Sequence, residues 1–316
     1  MALVLHINPT IDCAGVSWNL CSALNKHTKI QCTHIIGEKH PFGYKYGLLF
    51  GKDINTNELE KLVKQADILH FNHMDYLEPS FGIDWKKYLG RKIFVYHSHS
   101  GWEEGKEYNH IYKLGQLFNR YQSADATLVC NSANIKIFKN SQWIPNVLPD
   151  CETEYKRDFS AKLKVGHFAS NSKYKDVDVM KKLMQKLGEI ADYNLVMNFC
   201  DRERLLKMMS KNHILFDNIW QGYFGMTTLE AMQRGVVPIT KSVEKSYNAY
   251  CEKLGCNEIP IIRVEGMKGV EEVIKCLDSD RKLLEDKSNE CKKWINNYYS
   301  EKKIVGIWEE FYNGLL

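Results

Sequence analysis

The chain runs to 316 residues, 44% of them hydrophobic, with a formal net charge of +4. That exceeds the usual size of one domain and supplies apolar material for two cores of roughly 150 residues each, while so small a charge does not mark a nucleic-acid binder. No run of about 18 apolar residues occurs, so no integral membrane segment is expected, and the opening MALVLHINPT has neither a basic leader nor a small-residue cleavage site, which makes the cytoplasm the expected location.

From the N-terminus, Leu3 to Ile7 predicts a strand, about Ser17 to Lys26 a helix, and Cys32 to Ile36 a second strand, the pattern of a parallel βαβ unit. A helix near Glu58 to Gln65, strands at Ile68 to Phe71 and Ile93 to Tyr96, a long polar helix near Tyr108 to Tyr121 and a strand at Thr127 to Cys130 extend one parallel sheet. Between Val147 and Leu163 the periodicity gives way to Pro, Asp, Glu, Lys and Arg, the composition of a linker.

A second alternating series follows: strand Lys164 to Phe168, helix Val177 to Leu187, strand Asn194 to Asn198, helix Arg202 to Ser210, strand Ile214 to Phe216, helix Met226 to Arg234 and strand Val236 to Ile239. Strand Ile261 to Val264 and three helical stretches complete the chain, the last from about Lys302 to Tyr312 with Ile304, Ile307, Trp308 and Phe311 on one face. The fold class is therefore α/β with two parallel sheets. The ten cysteines are scattered and read as reduced thiols, and the closest pair, Cys251 and Cys256, has no second pair at zinc-ligand spacing.

Four stretches carry side chains suited to binding or catalysis. Asn8-Pro9-Thr10-Ile11-Asp12-Cys13-Ala14-Gly15-Val16-Ser17 leaves the first strand with a single glycine, so the dinucleotide fingerprint is missing and an oxidoreductase is disfavoured; Gly15 either offers backbone amides to an anion or makes a plain turn. Tyr96-His97-Ser98-His99-Ser100-Gly101-Trp102 ends an apolar strand. Two histidines at i and i+2 suit a metal or a proton shuttle, but no third ligand follows at a ligand spacing, leaving a polar cleft edge or two satisfied structural histidines as the competing readings.

Val165 to Asp176 leaves the first strand of the second series, where open α/β sheets bind ligands, and its Lys173 and Lys175 are either anion contacts or a solvated pair. Gly222-Tyr223-Phe224-Gly225-Met226-Thr227-Thr228-Leu229-Glu230-Ala231-Met232-Gln233-Arg234-Gly235 puts a glycine loop before a helix, whose free amides and dipole suit a phosphate, with Glu230 one turn in where a carboxylate can hold a ribose diol. The alternative there is a tight turn and a solvated glutamate.

The last stretch, with Pro238 after it, resembles the glycine-aromatic-glycine and Glu-Ala-Met signature of family-four glycosyltransferases, retaining enzymes of the GT-B fold, in which two Rossmann-like domains face each other across a cleft. The resemblance runs through nearly the whole chain in order, specific in the second half and looser in the first. It implies domains at 1–147 and 148–299 with a C-terminal helix, 300–316, crossing back onto the first, and Trp143-Ile144-Pro145-Asn146 resembles the family's junction segment. It implies a nucleotide-diphosphate sugar donor on the second domain and a saccharide or glycoconjugate hydroxyl as acceptor on the first.

In that pattern Glu230 binds the donor ribose, and Gly222, Tyr223, Phe224, Gly225, Met226 and Thr227 form the donor loop. Asp217 with Asn218 resembles an Asp-Gln pair of one subgroup, while Gly222 stands where the family commonly has a glutamate facing the sugar. Lys175 occupies the position of the family's lysine that neutralises the departing diphosphate, Ser172 that of its arginine, and Lys173 is the nearby second charge. His97 or His99 matches a His-Ser-His motif that contacts the donor sugar or orients the acceptor, and Gly15 lies in a loop similar to one near the donor phosphates or acceptor.

An Asp-x-Asp pair is taken to be absent, so no metal and no cofactor beyond the nucleotide-sugar co-substrate, a UDP- or GDP-sugar by family habit, is expected. Two alternatives stand beside this reading. One is transfer to hydroxymethylated bases of DNA; the other is a non-catalytic GT-B module that binds a nucleotide sugar or saccharide.

Overall fold

The computed structural model describes residues 2–72, 79–99, 123–130, 132, 141–151, 155–169, 177–196, 200–217 and 224–316. Two compact units emerge, Met1–Pro149 with Glu301–Leu316 and Asp150–Ser300. The predicted polar helix near Tyr108 to Tyr121 lies outside the described residues. Among them, no helix is long and apolar enough to cross a membrane.

In the first unit β1 (Leu3–Asn8), α1 (Val16–His27), β2 (Gln31–Ile36), β3 (Leu48–Leu49), α2 (Thr56–Gln65), β4 (Ile68–Asn72), β5 (Ile93–Ser98), β6 (Ala126–Val129) and β7 (Gln142–Trp143) build a parallel sheet of order β3-β2-β1-β4-β5-β6-β7. β4 is buried throughout, as a strand covered on both faces must be. α2 starts at a capping box: the Asn55 side chain accepts from Glu58 N and the Glu58 carboxylate accepts from Asn55 N.

Inside this unit runs a row of histidines for which apolar periodicity gives no signal. Parallel register sets His6 of β1 opposite both His34 of β2 and His70 of β4, so the three imidazoles share one face. His6 and His70 stack at 4.1 Å. The C-terminal helix (Glu301–Asn313) supplies a hydrogen-bond partner to His6 and to His70. Asn72 Nδ2 donates to His6 Nδ1, which leaves the His6 proton on Nε2 to donate to the Tyr312 hydroxyl at 2.9 Å, and that hydroxyl in turn donates to His70 Nδ1 at 2.6 Å. Trp308 of the same helix lies against His70 and His97 and donates its indole N–H to Pro145 O.

The second unit contains β8 (Leu163–Phe168), α3 (Val177–Leu187), β9 (Ala191–Val196), α4 (Arg202–Ser210), β10 (Ile214–Phe216), α5 (Met226–Gln233), β11 (Val237–Thr240), α6 (Glu244–Leu254), β12 (Ile262–Arg263), α7 (Gly266–Ser279) and α8 (Arg281–Tyr298). Its sheet is again parallel, ordered β12-β11-β10-β8-β9. Leu163, Val165, Ile214, Phe216, Val237 and Ile239 pack with Met180, Leu183 and Leu187 of α3 and Val270, Ile274 and Leu277 of α7. The α/β class with two Rossmann-like parallel sheets is thus as the sequence implied.

β9 begins three residues earlier than predicted. Asp192 and Asn194 mask it in the sequence, yet as the last strand of the sheet it tolerates polar side chains while Ala191 to Val196 pair with Leu163 to Phe168.

Burial holds the imidazoles of His6, His70 and His97 well below their ordinary pKa and His34 down at about 3, so all four are neutral in the fold. In the unfolded chain they protonate near pH 6.5, so the stability they confer is complete above that pH and falls below it, by about 1.4 kcal/mol per pH unit for each group. Asp12, pushed up to about 6 by burial, works in the opposite sense between about pH 6 and pH 4 and offsets one of the four. Urea unfolding should therefore show a clear fall in midpoint from pH 7 to pH 5, with this set taking up about three protons on unfolding at pH 5; a flat midpoint over that range would contradict the buried row.

Candidate functional site

In the second unit, β8 and β10 are neighbours whose connections leave in opposite directions, to β9 on one side and β11 on the other. Such a reversal opens a crevice outside the C-terminal ends of the two strands. The chain leaves β8 through Ala169 and β10 through Asp217. Ser172, Lys173, Lys175, Gly222 and Tyr223 lie outside the described residues, and the geometry of the site rests on Asp217 and on α5.

Asp217 is 3% exposed. Its carboxylate accepts the Thr228 hydroxyl proton at 2.5 Å, and its amide donates to Ile239 O, so the strand end, the helix start and the next strand are tied together. The N-cap of α5 is Gly225, which has no side chain to cap the helix. Gly225 is extended, with φ of −117°, and a Cβ there would meet nothing within 4 Å among the described residues. The glycine is therefore not demanded by a turn. Among the described residues it leaves open space beside the amides of Met226 and Thr227, whereas Thr228 N already donates to Gly225 O at 3.1 Å.

Gly225, Met226 and Thr227 are half-buried, whereas Phe224 is buried and packs on Tyr250 with ring centroids 4.4 Å apart, an anchor for the loop end. Glu230 is 5% exposed, which excludes the solvated-glutamate alternative. Its Oε1 pairs with the Arg202 guanidinium at the start of α4. A buried carboxylate needs such a partner. Arg202 and Thr228 were not singled out in the sequence; Thr228 has a weak signal as a hydroxyl in the first turn of a helix, and Arg202 has none.

The far end of α5 is held as firmly. Gly235 adopts φ of +68°, and a Cβ on it would fall 2.5 Å from Lys292 Cε and 2.8 Å from Ser288 Oγ. Ser288 Oγ donates to Gly235 O at 2.6 Å. Arg157, from the stretch read as linker, donates to the carbonyls of Gly235, Ser210 and Arg234 at 2.6, 2.9 and 3.2 Å, tying the C-terminal ends of α4 and α5 with one cation.

In the first unit Gly15 is the left-handed N-cap of α1, with φ of +68°, and a Cβ there would lie 2.6 Å from the Tyr44 ring. The amides of Ser17 and Trp18 donate to the buried Asp12 carboxylate at 3.1 and 2.8 Å. The positive end of α1 is therefore already met by the chain's own carboxylate. His97 is 1% exposed, its ring 4.2 Å from that of His99. His99, half-buried just past the end of β5, donates through Nε2 to Asn72 Oδ1 at 3.1 Å, since the Asn72 amide nitrogen is spent on His6.

His6, Cys21 and Cys32 also come close enough to suit a metal, with the two sulfurs 2.8 Å apart, but Asn72 and Tyr312 engage both nitrogens of His6. The sequence premise about Asp-x-Asp needs correction: Asp176-Val177-Asp178 and Asp278-Ser279-Asp280 both occur. Asp176 lies outside the described residues, and the Asp178 side chain is 92% exposed. In the second triplet Asp278 accepts from Arg281 and Asp280 caps α8 through Leu283 N, both local structural duties.

No protein-family model and no curated protein matches the chain in sequence. Solved structures match it in fold. They include Anabaena HepE in complex with UDP and glucose, at a TM-score of 0.72 and 12% identity over 99% of each chain. Sucrose-phosphate synthase from Thermosynechococcus elongatus matches at 0.65 and 12% identity, over 100% of this chain and 99% of that one. The catalytic domain of starch synthase IV from Arabidopsis thaliana, bound to ADP and acarbose, matches at 0.65 and 11% identity over 99% of each.

Because Arg157 satisfies carbonyls at two helix ends, Arg157→Ala should destabilise the second unit by about 2–4 kcal/mol, read as a lowered urea midpoint. A change under about 0.5 kcal/mol, the range of ordinary surface substitutions, would show that the tie does not hold the helices.

Proposed function

We propose that this protein is a glycosyltransferase that moves a sugar from a nucleotide-diphosphate donor to a hydroxyl of a saccharide or glycoconjugate, with retention and without a divalent metal. The observation that carries the reading is Glu230, a 5% exposed carboxylate one turn into a helix whose N-cap is a glycine, beside the crevice where this class of sheet binds nucleotides. The structures similar in fold support the chemistry by what they hold: UDP and glucose in one, ADP and acarbose in another.

In this reading Glu230 accepts hydrogen bonds from the ribose diol and the open amides at the start of α5 face the diphosphate. The bond between the anomeric carbon and the diphosphate oxygen breaks as the acceptor oxygen bonds to the same face of the sugar. The acceptor's proton passes to the departing phosphate. Lys175, by its place in the motif, supplies the cation that stabilises the developing negative charge. His99, at the edge of the first unit, is the better placed of the two histidines to meet a sugar hydroxyl, because His97 is enclosed.

None of the three similar proteins is named for a nucleic acid, and the DNA-base alternative gains no support from them. The binding-module alternative retains one motive: Gly222 and Ser172 stand where the resemblance has a carboxylate and an arginine.

Thermal unfolding in the presence of UDP-, GDP-, ADP- and CMP-sugars tests the donor site. One nucleotide class at 100 times its dissociation constant should add about 2.7 kcal/mol of stability, and Glu230→Ala should abolish that gain. Turnover should survive EDTA and collapse in Lys175→Ala. Binding without turnover across a wide acceptor panel would favour the binding module, and no stabilisation by any donor would refute the donor site and leave only a module that binds a saccharide.

A further inference from the structure

Among the described residues outside those that the resemblance names, Arg202 touches the site's central carboxylate. Arg202 is the first residue of α4, held in place by Asp201, whose side chain caps the helix by accepting from Glu203 N and Arg204 N. Its side chain is 19% exposed, against 40% for Arg263 and 57% for Lys26, which marks it as turned inward. The guanidinium pairs with Glu230 through Oε1.

The two residues come from different helices, which touch, and each helix is fixed independently of the pair. Asp201 sets the start of α4, and Arg157 ties the C-terminal ends of α4 and α5 together. The pair is therefore a consequence of helix placement. Buried ion pairs contribute little net stability, since desolvation offsets their attraction, but they fix orientation. A planar guanidinium does this better than an ammonium, because its donors point in set directions.

We propose that Arg202 is a positioning residue for ribose recognition: by occupying Oε1 of Glu230 it keeps that carboxylate charged, holds its rotamer, and directs Oε2 to the ribose diol of the donor. This rests on the donor-site reading above. Arg202 touches no substrate in this account and acts only through Glu230. Its effect is thus confined to the part of the donor that Glu230 holds, the two ribose hydroxyls, and leaves base and diphosphate binding alone.

Isothermal titration tests this with UDP, GDP and ADP, and with the 2′-deoxy and 3′-deoxy counterparts of whichever binds tightest. The proteins are the wild type, Arg202→Met, Arg202→Lys, Glu230→Gln and the Arg202→Met/Glu230→Gln double variant, each checked for fold by circular dichroism. Wild type should prefer the ribonucleotide. Arg202→Met should lose roughly tenfold in affinity for it with little change toward the deoxy forms, so that the preference collapses, and Arg202→Lys should restore part of it. The double variant should bind like Glu230→Gln alone, the non-additivity of a residue that works through its partner.

A deoxy discrimination unchanged in Arg202→Met overturns the proposal. So does a double variant weaker than Glu230→Gln toward every nucleotide, which would mean that Arg202 meets the donor itself. Should Arg202→Met leave the buried carboxylate unpaired and fail to fold, the double variant removes both charges and still carries the comparison. If the wild type binds none of the three nucleotides, the donor-site reading fails first and takes this inference with it, a result visible before any variant is made.

Discussion

A carboxylate that is 5% exposed has lost nearly all its water, and the second unit is arranged around that fact. Glu230 needs a cation, and Arg202 supplies it from a neighbouring helix. That pairing holds only if α4 and α5 keep their relative placement, which Arg157 enforces from the opposite end by bonding the carbonyls of both helices. The tight fit at Gly235, where no Cβ has room, lets α5 end against α8. At the other end Thr228 and Asp217 lock the helix start to the strands. The open first-turn amides thus belong to a helix fixed at both ends, which is the preorganisation that anion binding requires.

The first unit solves a different problem with the same means. Polar rings in a buried sheet call for partners, and the C-terminal helix provides one each to His6 and His70 through the Tyr312 hydroxyl, while Trp308 covers the neighbouring rings. The row makes His6 and His70 structural and ties the end of the chain to its beginning. It reaches the strand ends through Asn72, which joins His6 within the sheet to His99 at its edge. A buried network therefore sets the tautomer and orientation of the imidazole at the edge.

Much of the architecture was legible because it is local. Apolar runs separated by amphipathic helices reveal strands and helices through relations of a few residues, and the spacing from Gly225 to Glu230 is one turn of helix wherever the helix lies. Legibility failed where polar residues occupy an edge strand, as at Asp192 and Asn194; the two Asp-x-Asp triplets, by contrast, stand in the sequence and were overlooked there, and it took the structure to show the local duties of the second. The histidines at positions 6, 34 and 70 gave no signal, because a buried imidazole looks like an interruption of an apolar run until its neighbour across the sheet is known.

By itself the sequence determined the α/β class, the two parallel series and the helix that bears Glu230, since each follows from periodicity and loop composition within a short window. Only the tertiary structure decided that Glu230 is buried and paired, that Arg157 binds a carbonyl 78 residues away, that Tyr312 serves His6 across 306 residues, and that of His97 and His99 the first is enclosed and the second lies at the edge. The reason is physical: hydrogen bonds and charge pairs are satisfied by whatever strand order brings into contact, and strand order is a property of the whole sheet that no local pattern encodes.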